Sequence, residues 1–126
     1  MISSATAMLD VKLRVGERCK QLRLASGLDV AHAAAAIRMS EPHLYAVERG
    51  EKWPSQDLLL VMSYVYGVDL ADFYIFPDLN LRHQVRELLR LTPNAALPEV
   101  ARSIQTILQT PTSAVEIGPK KLTKRR

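Results

Sequence analysis

The chain has 126 residues, 48% of them hydrophobic, which predicts one small globular domain or such a domain with an appendage. Its net charge of +4 is unevenly divided, because residues 1–76 sum to −1 and residues 77–126 to +5. No apolar run approaches the roughly 18 residues of a membrane span, so we expect no membrane partner. The single Cys19 cannot form an internal disulfide, which indicates a reducing compartment such as the cytoplasm.

The first half of the chain is predicted to begin with a flexible arm, residues 1–10, followed by a helix from about Val11 to Ala25. Apolar residues recur on one face of that helix at three- and four-residue spacing, and they are Val15, Cys19 and Leu22. Gly27 then supplies the left-handed position that commonly ends a helix. Cys19 falls on the apolar face, so a buried and unreactive thiol is expected.

Two short helices joined by a tight turn are predicted next. Asp29 and Ser40 are favourable N-cap residues, and each stands just before one of these helices. Pro42 fits the first turn of the second helix, because the missing N–H would have no intrahelical partner there. Gly50 ends that helix. Two helices at this spacing predict a helix-turn-helix motif.

A fourth and a fifth helix complete the predicted domain at residues 11–76. Pro54 and Ser55 open the fourth helix, and Gly67 ends it. Asp69 caps a short fifth helix. Trp53, which precedes the fourth helix, is predicted to cap the core. Five helices of this length are sufficient for one small all-α core.

Residues 77–111 are predicted to form a helical pair, broken near Pro93. A pair of this length cannot bury two apolar faces by itself, so it must pack on the first domain or on another chain. We therefore predict a dimerisation or interaction element. Its apolar residues are Leu81, Val85, Leu88, Leu89, Val100, Ile104, Ile107 and Leu108. Residues 112–126 are predicted to be a disordered basic tail.

The helix caps, glycines and apolar positions described above fall together in one continuous pattern without gaps. Its residues are Gly27, Leu28, Asp29, Ala33, Ala34, Ile37, Met39, Ser40, Leu44, Val47, Glu48, Arg49, Gly50, Trp53, Pro54 and Ser55. From about Val15 to about Phe73 the sequence resembles the XRE family of DNA-binding regulators, with their phage-repressor and Cro-like helix-turn-helix. The resemblance implies a five-helix lambda-repressor-like domain and a cofactor-free homodimer. It also implies binding to double-stranded DNA at a two-fold-symmetric operator, most often as a repressor.

The resemblance also implies roles for individual residues. The first turns of the third helix would read base edges in the major groove, and the residues concerned are Ser40, Glu41, Pro42, His43, Tyr45 and Ala46. Ser40 is better explained as the helix cap. Phosphate contacts are expected from Arg38, Arg49 and Lys52. Arg23 and Glu48 match a pair that forms a partly buried salt bridge in similar repressors.

Two positions depart from the family pattern. Val30 stands where relatives commonly have a glutamine bonded to a phosphate, and Arg38 stands in the turn where glycine is usual. A residue other than glycine there is expected to carry positive-φ strain. The predicted readers also lack glutamine and arginine, which pair bidentately with adenine and guanine.

An enzyme is not expected, because the three histidines show no metal-ligand spacing and no glycine-rich loop could cradle a phosphate. We expect no metal or other cofactor. Two alternatives to a repressor remain open. One is a protein-binding adaptor or anti-activator that retains the fold, favoured by the near-neutral helix-turn-helix. The other is the antitoxin of a toxin–antitoxin pair, in which the helical tail would hold a protein partner.

Overall fold

The structure, a computed structural model, describes residues 3–110, and its regular elements in that range are all helical. The main helices are α1 (Ser4–Ala25), α2 (Val30–Ile37), α3 (Glu41–Glu48), α4 (Gln56–Tyr66), α5 (Leu81–Leu91) and α6 (Leu97–Gln109). Short 3-10 helices lie at Leu70–Tyr74 and Asn94–Ala96. The predicted all-α fold, with a helix-turn-helix domain and a C-terminal helical pair, is confirmed. The predicted tail at 112–126 lies outside the described residues.

Helix α1 begins earlier than the sequence predicted. The prediction of a flexible arm is wrong for residues 4–10, which form the first two turns of α1. Ser3 caps this start, since its side-chain oxygen accepts a hydrogen bond of 3.1 Å from the Thr6 N–H. Asp10 and Arg14, four residues apart, form an exposed ion pair of 3.1 Å that supports the same segment. Residues 1 and 2 lie outside the described range.

The hydrophobic core lies among α1 to α4 and the first 3-10 helix. Its largest fully buried side chains are Phe73, Leu22, Leu44, Leu59, Met62, Val15, Val47 and Cys19. Burial raises the pKa of the Cys19 thiol to about 12. The thiol therefore stays protonated and unreactive near neutral pH, as expected from its place on the apolar face of α1.

Gly16 is placed in the middle of α1, although glycine is unfavourable inside helices. A Cβ atom there would lie 2.6 Å from the Val47 carbonyl oxygen and 2.8 Å from the Gly50 backbone nitrogen. Glycine is therefore required because the backbone of α1 crosses the C-terminal end of α3 at very short distance. This contact fixes α3 against α1.

Trp53 does not cap the core, so that prediction was wrong. Its side chain is 46% exposed and lies outside the buried cluster. The segment between α3 and α4 runs over the surface, as loops generally do, and it carries Trp53 with it.

The C-terminal helices α5 and α6 contain no buried residue in the part of the chain that the structure describes. Leu81, Leu88 and Leu108 are each exposed by 64% or more. The remaining predicted dimerisation residues are half-buried or exposed, and they are Val85, Leu89, Val100, Ile104 and Ile107. The apolar faces of this pair are thus not covered by the first domain. None of the helices within residues 3–110 has the length and apolar character needed to cross a bilayer.

Candidate nucleic-acid interface

Helix α3 begins with a strong local signal. The Ser40 side-chain oxygen accepts a hydrogen bond of 3.2 Å from the His43 N–H, and Pro42 lies in the first turn. Glu41 places a carboxylate in that turn, where the helix dipole favours negative charge. Ser40 is therefore occupied as the N-cap, and the side chains that follow it define the outer surface of α3.

The outer surface of α3 is formed by four of the six predicted base-reading residues. Glu41, Pro42, His43 and Tyr45 are exposed, whereas Leu44 and Val47 are completely buried on the opposite side. Glu41 and Tyr45 are four residues apart and therefore share one stripe of the helix. The structure places these exposed side chains within the first five residues of α3.

Ala46 is the exception among the predicted readers. It is 9% exposed and counts among the buried residues, so its methyl group is not presented to a base edge. The assignment of Ala46 to base reading is therefore corrected. The helical period does not account for this burial, because Pro42, four residues earlier on the same stripe, is exposed. The low exposure of Ala46 instead reflects packing around the end of α3, where the Glu51 N–H donates to the Ala46 carbonyl at 2.9 Å.

Arg49, a predicted phosphate contact, interacts with two other side chains of the same chain, Glu51 and Tyr45. Its guanidinium donates hydrogen bonds of 2.8 and 3.2 Å to the Glu51 carboxylate and lies 5.9 Å from the centre of the Tyr45 ring. The hydrogen bond lowers the pKa of Glu51 and raises that of Arg49. Glu51 was not among the predicted site residues, although an acidic residue two positions after an arginine is visible in the sequence. Lys52, the next residue, is exposed.

Arg38 occupies the turn between α2 and α3 in a left-handed conformation, with φ at 68° and ψ at 49°. It is the non-glycine residue with positive φ in the described chain. The Met39 N–H donates to the Ala34 carbonyl at 3.0 Å and closes the turn around it. An L-residue in this conformation costs about 1 kcal/mol relative to glycine. This conformation leaves the charged side chain of Arg38 exposed beside the start of α3.

The N-terminus of α2 carries an acidic side chain. Asp29 accepts a hydrogen bond of 2.8 Å from the His32 N–H, and its carboxylate oxygen lies 2.7 Å from His32 Nδ1. The hydrogen bond from the His32 N–H lowers the pKa of Asp29. Val30, in place of the usual glutamine, is buried. The side chains at this helix start therefore offer no donor to a phosphate except His32.

Arg23 and Glu48 are brought together in the interior between α1 and α3. Arg23 Nε donates to Glu48 Oε2 at 2.7 Å and Nη2 donates to Oε1 at 3.0 Å, and both side chains are at most 5% exposed. Arg23 Nη1 also donates to the Leu28 carbonyl at 2.9 Å. The pair lies inside the domain and therefore fixes α3 in position without contributing to its outer surface.

The comparisons with known proteins agree with this geometry. A protein family described as a helix-turn-helix domain matches residues 14–73, the span from α1 through the first 3-10 helix. The chain carries an XRE-type helix-turn-helix domain. Within this domain α2 and α3 are the two helices of the motif, and α3 is the one with the exposed N-terminal half.

A curated relative supports the same assignment. Over 60 residues the chain is 33% identical to the HTH-type transcriptional regulator DdrOP3 of Deinococcus deserti. The match covers 48% of this chain and spans 46% of the length of that relative. No solved structure matches the chain. Within residues 3–110 no group of side chains is arranged to hold a metal ion.

Proposed function

We propose that this protein is a sequence-specific DNA-binding transcriptional regulator, acting as a repressor that inserts α3 into the major groove. The observation that carries the proposal is the outer surface of α3. It presents four exposed side chains within its first five residues, while the buried Arg23–Glu48 ion pair fixes α3 to α1 on the opposite side. In helix-turn-helix domains this end of the second helix contacts base edges.

Each side chain has a distinct role in this proposal. Glu41 accepts from a cytosine amino group, Pro42 contacts a thymine methyl group, and His43 donates to guanine or to phosphate. Tyr45 lies on the same stripe and lengthens the contact surface. The exposed cations near α3 neutralise phosphates and set the register of α3 without reading sequence, and they are Arg38, Arg49 and Lys52. For Arg49 this requires exchanging Glu51 for a phosphate oxygen.

The repressor is proposed to act as a homodimer on a two-fold-symmetric operator. The exposed apolar faces of α5 and α6 supply the surface, and a second copy of the chain is the occupant that buries equivalent faces reciprocally. Two recognition helices then meet half-sites about one helical turn, roughly 34 Å, apart. No cofactor or catalytic step is part of the proposal, and the place of action is the cytoplasm.

The variant Arg38→Gly tests the phosphate role of the turn. We expect it to raise the free energy of unfolding by up to about 1 kcal/mol, because the strained left-handed residue is replaced by glycine. We also expect weaker binding to specific and random duplexes alike, with the salt dependence reduced by about one counterion. Thermal unfolding and fluorescence anisotropy at several salt concentrations measure both effects.

The matched control for this variant is Lys20→Ala, an exposed cation on α1 that is expected to be plain surface. Its salt slope should equal that of the unmodified protein. If Arg38→Gly leaves the salt dependence of DNA affinity unchanged, Arg38 does not contact a phosphate.

A second candidate function is a protein-binding adaptor that retains the fold. The start of α2 favours it, since Asp29 and buried Val30 stand where a phosphate ligand is usual. The same anisotropy titration separates the two proposals. A DNA-binding regulator binds random duplex with an affinity that falls steeply as salt rises, whereas an adaptor shows no such binding at low salt.

A further inference from the structure

Helix α5 is attached to the helix-turn-helix domain through polar contacts. Among the described residues of α5 none is fully buried, and its most specific contacts with the domain are hydrogen bonds and one ring stack. At its start, the Phe76 N–H donates to His83 Nδ1 at 2.9 Å, and the two rings stack at 5.6 Å. One turn further along α5, Glu87 reaches back to α1.

The contact of Glu87 is with Arg18, a buried arginine that is 2% exposed. Arg18 Nη2 donates to Glu87 Oε1 at 2.6 Å, and Nη1 donates to Oε2 at 3.3 Å. Arg18 Nε donates to the Asp72 carbonyl at 2.8 Å, which ties the same side chain to the first 3-10 helix. One guanidinium therefore links α1, the 3-10 helix and α5 with directional hydrogen bonds.

Glu87 is held on both sides. Arg90, one turn later on α5, donates hydrogen bonds of 2.8 and 2.9 Å to the same carboxylate. The hydrogen bonds from Arg90 and then from Arg18 lower the pKa of Glu87 to about 2. The Glu87 carboxylate is therefore charged near neutral pH, where it pairs with Arg18.

We propose that Glu87 is a positioning residue that sets the direction of α5 relative to α3, and thereby the spacing of half-sites that the dimer accepts. The inference rests on the proposed function as a dimeric DNA-binding regulator. Helix α1 connects α5 to α3 directly. It contacts α5 through Arg18, and it contacts α3 at Gly16 and through Arg23. Rotation of α5 about α1 would shift one recognition helix relative to the other along the DNA.

The test is a binding competition among duplexes whose half-sites are separated by the preferred spacing or by one base pair more or less. Glu87→Gln keeps the shape of the side chain but removes its charge. We expect the preference for the best spacing to fall about tenfold, the factor that one charge-assisted hydrogen bond is worth. The affinity for a single half-site and the dimer content by light scattering should stay unchanged.

The matched control is Glu99→Gln, which breaks the exposed Glu99–Arg102 pair on α6 and should leave the spacing preference intact. Glu87→Gln leaves the buried Arg18 without its counter-charge and could therefore destabilise the fold. A second variant that removes both charges controls for this effect. The double variant Arg18→Met with Glu87→Met replaces the pair by apolar side chains, which proteins tolerate well. It should also lose the spacing preference.

The outcomes distinguish the inference from the proposed function. If both Glu87 variants keep the single spacing preferred by the unmodified protein, the positioning role is wrong while dimeric DNA binding stands. If the unmodified protein prefers no spacing at all, the dimeric operator model fails, and the inference fails with it.

Discussion

Replacing Glu48 with glutamine is expected to lower the free energy of unfolding by about 3–5 kcal/mol, the usual effect of removing one partner of a buried ion pair. The Arg23 guanidinium would keep its charge and its burial but lose its counter-ion. For a small domain this is a large fraction of the total stability. Chemical denaturation of the full chain measures the change.

The matched control is Glu51→Gln, which removes the carboxylate from an exposed arginine pair of similar geometry. Arg49 and Glu51 are each more than half exposed, so water and salt screen the pair and the loss of stability should be far smaller than for Glu48→Gln. The double variant Arg23→Met with Glu48→Leu should recover most of the stability, because no unpaired charge remains buried. Equal effects of Glu48→Gln and Glu51→Gln would contradict the structural role of the buried pair.

Replacing Leu88 with glutamate is expected to raise the dissociation constant of the dimer by about three orders of magnitude. Burying an unpaired charge in an apolar interface costs at least about 2 kcal/mol, and two-fold symmetry applies that cost twice. Leu88 is 64% exposed in the single chain, so the substitution should leave folding unchanged. Light scattering over a concentration series measures the shift.

The control for the dimer variant is Leu60→Glu on α4, where the leucine is 58% exposed but belongs to the helix-turn-helix domain. It should leave the dimer intact. Equal dissociation constants for Leu88→Glu and the unmodified protein would exclude α5 from the interface. A truncation at Phe76 is a poorer test, since it would remove Glu87 and leave buried Arg18 without its counter-ion.

The helix-turn-helix domain could be predicted from the sequence because its signals are local. Ser40 caps α3 through the N–H of His43, three residues away, and Gly27 and Gly50 adopt the positive φ that helix ends require. The left-handed conformation of Arg38 followed from the family resemblance. Features of this kind depend on a few neighbouring residues and are readable without knowledge of the fold.

Features that depend on contacts distant in sequence were not predicted. Gly16 gave no local signal, because its need for a small side chain arises from α3, more than thirty positions later in the chain. The link between Arg18 and Glu87 joins residues 69 positions apart and required the fold. The early start of α1 differs from these, because the Ser3 cap three residues before Thr6 is a local signal in the sequence.

The candidate interface was predicted only in outline. The motif predicted base-reading residues on α3, but the burial of Ala46 and the pairing of Arg49 with Glu51 depend on side-chain packing and direction. The sequence pattern predicted a phosphate contact for Arg38, Arg49 and Lys52 alike. It could not indicate that Arg49 forms an ion pair with Glu51. Arg38 and Lys52 are therefore better placed than Arg49 to begin a phosphate contact.

The most direct measurement of the central proposal is selection of bound duplexes from a random library by the full chain at moderate salt. A dimeric, sequence-specific regulator should enrich a two-fold-symmetric sequence whose half-sites are centred about one helical turn apart. Retention of the library without enrichment of any sequence, or enrichment of a single half-site with no symmetric partner, would contradict a dimeric, sequence-specific regulator.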